Sequence, residues 1–343
     1  MRRPITLALA LFVACSSDKV GPPPAPPVNW ASLQPQPRPD AGQLKPTERE
    51  ALVASAYAKA LADFGTLPKL LGESANMRFG KQTAHGREAA LAMHESIFGA
   101  FAQRTVATSR VWMNERYQAI EFSITGSQTR DWMGLAATQK QATIKGIMLV
   151  WTSDDGSIED VHVMFDVAQV KAQLLGAATQ GTSPAARVFE STASPDEATN
   201  VQAVRDSLDA LEVRTHESQR LDAGKAAPLI EGEAGYLSTF TDDVELYTGR
   251  PDPLHGKDQA KAHFRSMRAS IGQLDTLVNN TLGAGAFVIV EYTISGEQQG
   301  PIGNIPFKSS QLVTLNVIDV VELRDHKIAH VWRYDNPSEI VSH

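Results

Sequence analysis

The sequence predicts two copies of one α+β domain joined in a single chain, and three observations carry that expectation. First, text recurs at a constant offset of 170 positions: His85-Gly86 as His255-Gly256, Glu121-Phe122-Ser123-Ile124-Thr125-Gly126 as Glu291-Tyr292-Thr293-Ile294-Ser295-Gly296, and Asp155 and Ile158 as Asp325 and Ile328. A register held from a helix start through a strand to a hairpin turn marks a duplicated fold, and so long a period means domains rather than short solenoid repeats. Second, within each copy the hydrophobic period changes from helical spacing to alternation, the order expected when helices cover one face of a curved antiparallel sheet. Third, 343 residues with 42% hydrophobic content suffice for two ordinary domains.

The elements follow in order. Arg2 and Arg3 precede the apolar run Ile5 to Val13, too short to span a bilayer, and then comes Leu11-Phe12-Val13-Ala14-Cys15. Cys15 is the sole cysteine, so an intrachain disulfide framework and a thiolate metal cage are excluded. This segment resembles the lipobox of bacterial lipoproteins, with Phe12 where that motif more often has leucine. The resemblance implies a signal peptide over 1–14, lipid on Cys15 as a membrane anchor, and residence in the cell envelope; Ser16 after the cysteine points to an outer membrane. A plain secretory signal with an incidental cysteine is the alternative. Residues 15–46 hold nine of the nineteen prolines and read as an extended tether that buries nothing.

The first domain is expected over 47–176. Thr47-Glu48-Arg49-Glu50 forms a capping-box pattern before the stripe Leu52, Ala56, Tyr57, Ala60, Leu61 and Phe64. A break follows at Gly65 and Pro68, and a second helix is expected from Gly86 to Gln103. Strands are expected over Val106–Met113, Tyr117–Gly126, Ala142–Thr152 and Ser157–Asp166, with turns at Asn114-Glu115 and Asp154-Asp155-Gly156. Residues 177–193 read as a linker. The second domain, 194–343, opens with Ser194-Pro195-Asp196-Glu197, a capping box with proline at the first helical position. A short helix into Tyr236–Phe240, a strand at Val244–Tyr247, a helix over Gly256–Ile271 and strands at Thr276–Leu282, Ala286–Gly296, Ser310–Leu323 and Lys327–Asp335 complete it.

Several short elements, in order and at matching spacing, carry a family resemblance over about Thr47 to Gly176. They are His85-Gly86-Arg87-Glu88, Glu121 to Gly126, Gly134-Leu135-Ala136-Ala137-Thr138-Gln139-Lys140, and Asp155-Gly156-Ser157-Ile158 leading to His162 and Phe165-Asp166. Both halves resemble the SnoaL-like branch of the nuclear transport factor 2-like superfamily. The second half keeps His255-Gly256-Lys257 and Phe240-Thr241-Asp242-Asp243-Val244 but loses the Thr-x-Lys pattern at Gly300 to Phe307, and its last strand reaches Asp335 one residue early. The resemblance implies cone-shaped domains, each enclosing an apolar pocket, that bind a small apolar ligand or a partner protein and pair through their outer sheet faces as an internal pseudo-dimer or a homodimer. It also implies an alternative, a polyketide cyclase- or isomerase-like enzyme in which Asp166 and His162 transfer a proton.

An even spacing of four puts His162 and Asp166 on one strand face, and a carboxylate in an apolar hollow has its pKa raised. The blander reading is that Asp166 caps the C-terminal segment and His162 is a wall residue. His94, Trp151, Trp332, Tyr334 and His330 are candidate pocket residues, each of which could equally be core. Arg333 and Asp335 are expected on the opposite face from Trp332 and Tyr334, toward solvent or the other domain. Glu121 and Glu291 are either an acid in each pocket or members of cross-strand ion pairs on the outer face. No His-Glu-x-x-His, Cys-x-x-Cys, phosphate-cradling loop or Gly-x-Ser-x-Gly occurs, so neither a metal nor a cofactor is called for. The net charge of −7 argues against a nucleic-acid partner.

Overall fold

A computed structural model describes residues 46–115, 117–177, 187–212, 232–248, 252–302, 305–307 and 311–340. The expected signal peptide, Cys15 and the proline-rich tether lie outside the described residues. The order is α1 (Pro46–Ala62), a 3-10 turn (Phe64–Lys69), β1 (Leu71–Phe79), β2 (Gln82–Ala84), α2 (Arg87–Phe98), β3 (Phe101–Met113), β4 (Tyr117–Gln128), β5 (Gln141–Thr152), β6 (Ile158–Met164) and α3 (Val167–Leu175). It continues with β7 (Arg187–Glu190), α4 (Pro195–Leu211), α5 (Glu233–Ser238), β8 (Phe240–Tyr247), β9 (Leu254–His255), α6 (Gly256–Ser270), β10 (Ile271–Ala284), β11 (Phe287–Gln298), β12 (Leu312–Arg324), β13 (Lys327–Asp335) and a last 3-10 turn (Pro337–Ile340).

The expected α+β architecture is present twice. The sheets run β2-β1-β6-β5-β4-β3-β7 and β10-β11-β12-β13-β8-β9. Each is built on four long antiparallel strands, with β1 parallel to β6 in one and β8 parallel to β13 in the other. These parallel edges make both sheets mixed rather than purely antiparallel. β1 escaped sequence reading because Leu71–Phe79 contains no β-branched residue; pairing with β6, not propensity, makes it a strand.

Curvature comes from a device repeated in both halves. Gln103 and Gln273 have φ of 52° and 51°, each within a register shift where β3 meets β4 and β10 meets β11. The extra residue bends the strand and increases twist. It also explains why α2 stops at Phe98 instead of running to Gln103: Phe101 is already a buried strand residue pointing into the cone. The repeated glycines at the helix entries, Gly86 and Gly256, have φ of 84° and 73°, a turn that a side chain would strain.

The capping box at Ser194 forms, and the Glu197 carboxylate also accepts from the Gly285 and Thr192 amides, tying α4 to the β10–β11 hairpin. Part of the segment read as linker is sheet: β7 adds to β3 in parallel, and its Phe189 stacks on Trp112 at 5.8 Å and meets Phe287 at 4.6 Å.

Alternation along the strands separates two faces. Inner residues such as Phe122, Met148 and Val163 join the helices in one core, and Val290, Tyr292 and Val321 do so in the other. Outer residues Trp112, Ile147, Leu149 and Met164 of the first sheet pack with Leu282, Phe287, Ile289, Ile318 and Val320 of the second. The two cones therefore sit back to back, each open side facing away from the seam.

Candidate functional site

The inner face of the first cone is filled by aromatic rings. Phe79 stacks on Phe165 at 4.9 Å, Phe98 meets Phe122 edge-on at 6.1 Å, and Phe101 meets Trp132 at 5.3 Å. His94 belongs to this core. It is fully buried, its Nδ1 bonds the Ala90 carbonyl at 2.8 Å and its Nε2 bonds the Tyr57 hydroxyl at 2.6 Å. One nitrogen facing a carbonyl and the other a hydroxyl suits the neutral ring, and burial pushes its pKa down to about 4.

Asp166 lies beyond the end of β6, so strand alternation no longer governs it. Its side chain accepts from the Ala168 and Gln169 amides as the N-cap of α3, at 2.8 and 3.2 Å. His162 points the other way, out of the cone and into the seam, where its Nδ1 lies 2.9 Å from the Glu291 carboxylate and its ring lies 4.7 Å from Trp151. The two residues expected to share a face do not converge on any pocket.

The other candidates correct together, for one reason. Alternation says which residues share a face but not which face is inside. Glu121, Glu291, Trp151, Trp332, Tyr334 and His330 all lie on outer faces. Glu121 accepts from Arg110 and Ser109 of its own sheet and from the Tyr334 hydroxyl across the seam at 2.6 Å. Glu291 accepts from Asn280 of its own sheet and from Arg78 and His162 across the seam. Both carboxylates are nearly inaccessible, at 4% and 1% exposure. Arg110 also lies over the Trp332 ring at 3.9 Å. His330 sits between Glu322 at 3.1 Å and Glu245 at 3.6 Å near the sheet edge. The Gly134 to Lys140 element is scaffold as well. The Gln128 amide donates to the Leu135 and Ala136 carbonyls, and its oxygen accepts from Thr138.

The polar inner face belongs to the second cone. A cavity of about 30 Å3 lies there between α4, α5, α6 and the sheet. Its walls include Val204, Leu208, Leu211, Phe240 and Val331, and its polar lining includes Asp319 and Arg333. Arg333 donates to both Asp319 oxygens, at 3.1 and 3.0 Å, and to the Tyr292 hydroxyl at 2.7 Å; that hydroxyl donates to Asp319 at 2.7 Å. Burial opposes the Arg333 charge, but Asp319 and Tyr292 outweigh it and raise its pKa further, while burial raises that of Tyr292. Asp335, two residues on along the same strand face, has its carboxyl pushed up to about 6. Desolvation is the main cause, opposed by Arg333 and helped by Asp319, Asp166 and Glu339.

Strand pairing aligns the two cones residue by residue. Phe122 takes the place of Tyr292, Met148 of Asp319, Val163 of Arg333 and Phe165 of Asp335. Sequence reading put Arg333 and Asp335 on the outward side; they face inward. Three polar residues standing where the other copy has Phe, Met and Val were the available signal, but reading it requires the strand register, which shifts from 170 to 171 between β4 and β5. Among the described residues no cluster of His, Cys, Asp or Glu could hold a metal ion.

Two back-to-back cones, one with its interior lined by aromatic rings and one enclosing a polar-floored cavity, define a tandem protein of the nuclear transport factor 2-like fold. Residues 234–341, within the second domain, match the family model described as SnoaL-like polyketide cyclase. Among solved structures, a protein from Jannaschia sp. CCS1 assigned as a SnoaL-like polyketide cyclase is 20% identical, covering 43% of this chain and 93% of its own, with a TM-score of 0.36. TsrD from Streptomyces laurentii is 18% identical, covering 43% and 95%, with a TM-score of 0.34. A protein of ketosteroid isomerase-like fold from Catenulispora acidiphila, in complex with trimethylamine, is 13% identical, covering 41% and 90%, with a TM-score of 0.31. No curated protein matches the chain.

Proposed function

We propose that this is a lipid-anchored protein of the bacterial cell envelope that binds a small, mainly apolar ligand in its second cone, with the first cone as a filled structural partner. The observation that carries the reading is the contrast between copies. Buried ionic groups are costly to maintain; the inner face of the first cone has Phe122, Met148 and Val163 at the matching positions, yet the second keeps Asp319 and Arg333, with Tyr292 bonded to both, at the floor of a cavity with apolar walls. A few fixed polar groups in an apolar hollow match the lining of a small-molecule site, and the volume of about 30 Å3 limits the occupant to a very small group unless the covering helices move apart. Lipid on Cys15 and the tether over 15–46 would hold this unit at the membrane, and the seam would keep the domains together as an internal pair, supported by its shared apolar cluster and reciprocal hydrogen bonds to Glu121 and Glu291. Mass spectrometry of ligands retained by the mature protein tests the binding role. A ligand released from wild type and absent from Arg333→Met is the expected result; equal retention by both would refute the site.

A second reading, proton transfer in the same cone, draws on one observation, the Asp335 carboxyl held near 6 beside Arg333. It replaces Asp166 and His162, whose side chains are engaged in a helix cap and in the seam.

A further inference from the structure

β7 crosses from one domain to the other. It lies just before α4, the first helix of the second domain, yet it pairs in parallel with β3 of the first sheet, setting Arg187-Val188-Phe189-Glu190 beside Arg110-Val111-Trp112-Met113. Its Phe189 closes the rim of the seam between Trp112 and Phe287. The leading segment of the second domain thus covers the edge strand of the first. At the 170-residue offset the matching strand of the second sheet is β10, with residues 280–283 in the place of 110–113. Among the described residues β10 is an end strand, paired with β11 alone. Val111 and Met113 are buried, whereas Thr281 and Gly283 are half-exposed, and Leu277 farther along β10 is 63% exposed. An open strand edge is a template for another strand.

The pairing of the domains indicates the occupant. Trp112 of the first domain meets Phe287 of the second, and at the same offset Leu282 and Tyr117 hold the matching places in the shared apolar cluster. In such a pair each domain's leading segment lies on the other's edge strand. The leading segment of the first domain precedes Pro46 and is outside the described residues. Between Ser16 and Lys45 its longest run without proline is Val28-Asn29-Trp30-Ala31-Ser32-Leu33-Gln34, and Trp30 is its only aromatic residue. Strand pairing needs backbone N–H groups, which proline lacks, and an aromatic anchor is what Phe189 supplies in β7. Reach is sufficient: residues 32–45 can extend about 45 Å, and residues 191–194 alone link β7 to α4.

We propose that the leading segment of the first domain docks on this edge: residues 28–31 pair in parallel with residues 280–283 of β10, and Trp30 packs beside Leu282 and Tyr117 as Phe189 packs beside Trp112 and Phe287. The two domains then exchange arms across the seam, both edge strands are covered, and burial of the indole strengthens the pairing. The docked arm also shortens the tether. Only residues 16–27 remain between Cys15 and the folded body, about 35–40 Å of extended proline-rich chain; this consequence, unlike the docking, rests on the reading of Cys15 as a lipid anchor.

Amide hydrogen exchange of the full mature chain tests the docking, with wild type compared against Trp30→Gly. In wild type the outward amides of residues 280–283 and the amides of residues 28–31 should be protected. Trp30→Gly should speed their exchange about tenfold, the loss of one or two backbone hydrogen bonds. Residues 110–113, beneath β7, are the internal reference and should exchange equally in both proteins. Free exchange of residues 280–283 in wild type overturns the proposal, and so does equal protection of them in both proteins. Equal protection that grows with protein concentration would assign the edge to a second copy of the chain; equal protection independent of concentration would assign it to another segment of the same chain. The same comparison in a Cys15→Ser background should give the same result, so failure of the anchor reading leaves the docking test intact.

Discussion

Replacing Asp319 alone with methionine strands the Arg333 guanidinium in the interior of the second cone. Asp319 is 4% exposed and supplies two of the three oxygen contacts of Arg333. Removing one partner of a buried pair leaves an uncompensated charge and costs about 3–5 kcal/mol. The first cone shows how the same backbone positions are filled without charge: Phe122, Met148 and Val163. Carrying all three into the second cone, as Tyr292→Phe, Asp319→Met and Arg333→Val, removes the stranded charge and every hydrogen-bonding group that depended on it. Such replacements are often neutral or stabilising by about 1–4 kcal/mol, and the longer methionine refills part of the space arginine leaves. Urea unfolding, comparing midpoints at constant slope, should place Asp319→Met well below wild type and the triple variant at or above wild type. If the triple variant is as unstable as the single one, the polar floor is required by the fold itself, and the argument that it is kept for a ligand collapses.

Other outcomes follow from the same contacts. The His94 pKa is depressed from 6.5 to about 4, so its contribution is present above 6.5 and is lost as pH falls through 4, about 3 kcal/mol in all; His94→Gln should flatten stability between those values in denaturant titrations. Asp335 has the opposite sign. Its pKa is raised from 3.8 to about 6, so it costs stability progressively as pH rises between them, and Asp335→Asn should raise the melting temperature at pH 8, by about 3 kcal/mol in stability, while leaving pH 3.5 unchanged. Arg78→Ala leaves Glu291 at 1% exposure with only His162 and Asn280, and should cost about 3 kcal/mol or more; loss of amide-exchange protection at the seam should report it first. Cys15→Ala should abolish incorporation of labelled fatty acid, and unchanged membrane retention would refute the anchor.

Sequence alone determined the duplication and the α+β class, because a register of 170 and a switch of hydrophobic period are local and linear properties. It also determined most long strands and the Ser194 cap, where alternation and capping chemistry agree with the final fold. It could not decide which strand face is inward. His162 and Trp332 alternate with Val163 and Arg333, and either set could have lined the cones. Tertiary structure decided that by setting the helices against the Val163 and Arg333 faces and sheet against sheet on the others. It likewise turned Asp166 from a strand acid into a helix cap, since the strand ends at Met164. β1 became a strand only through its neighbour, its own residues having weak preference for one. The polar floor of Arg333, Asp319 and Tyr292 comes from three different strands, so no window of sequence contains it; only the sheet register brings the three together.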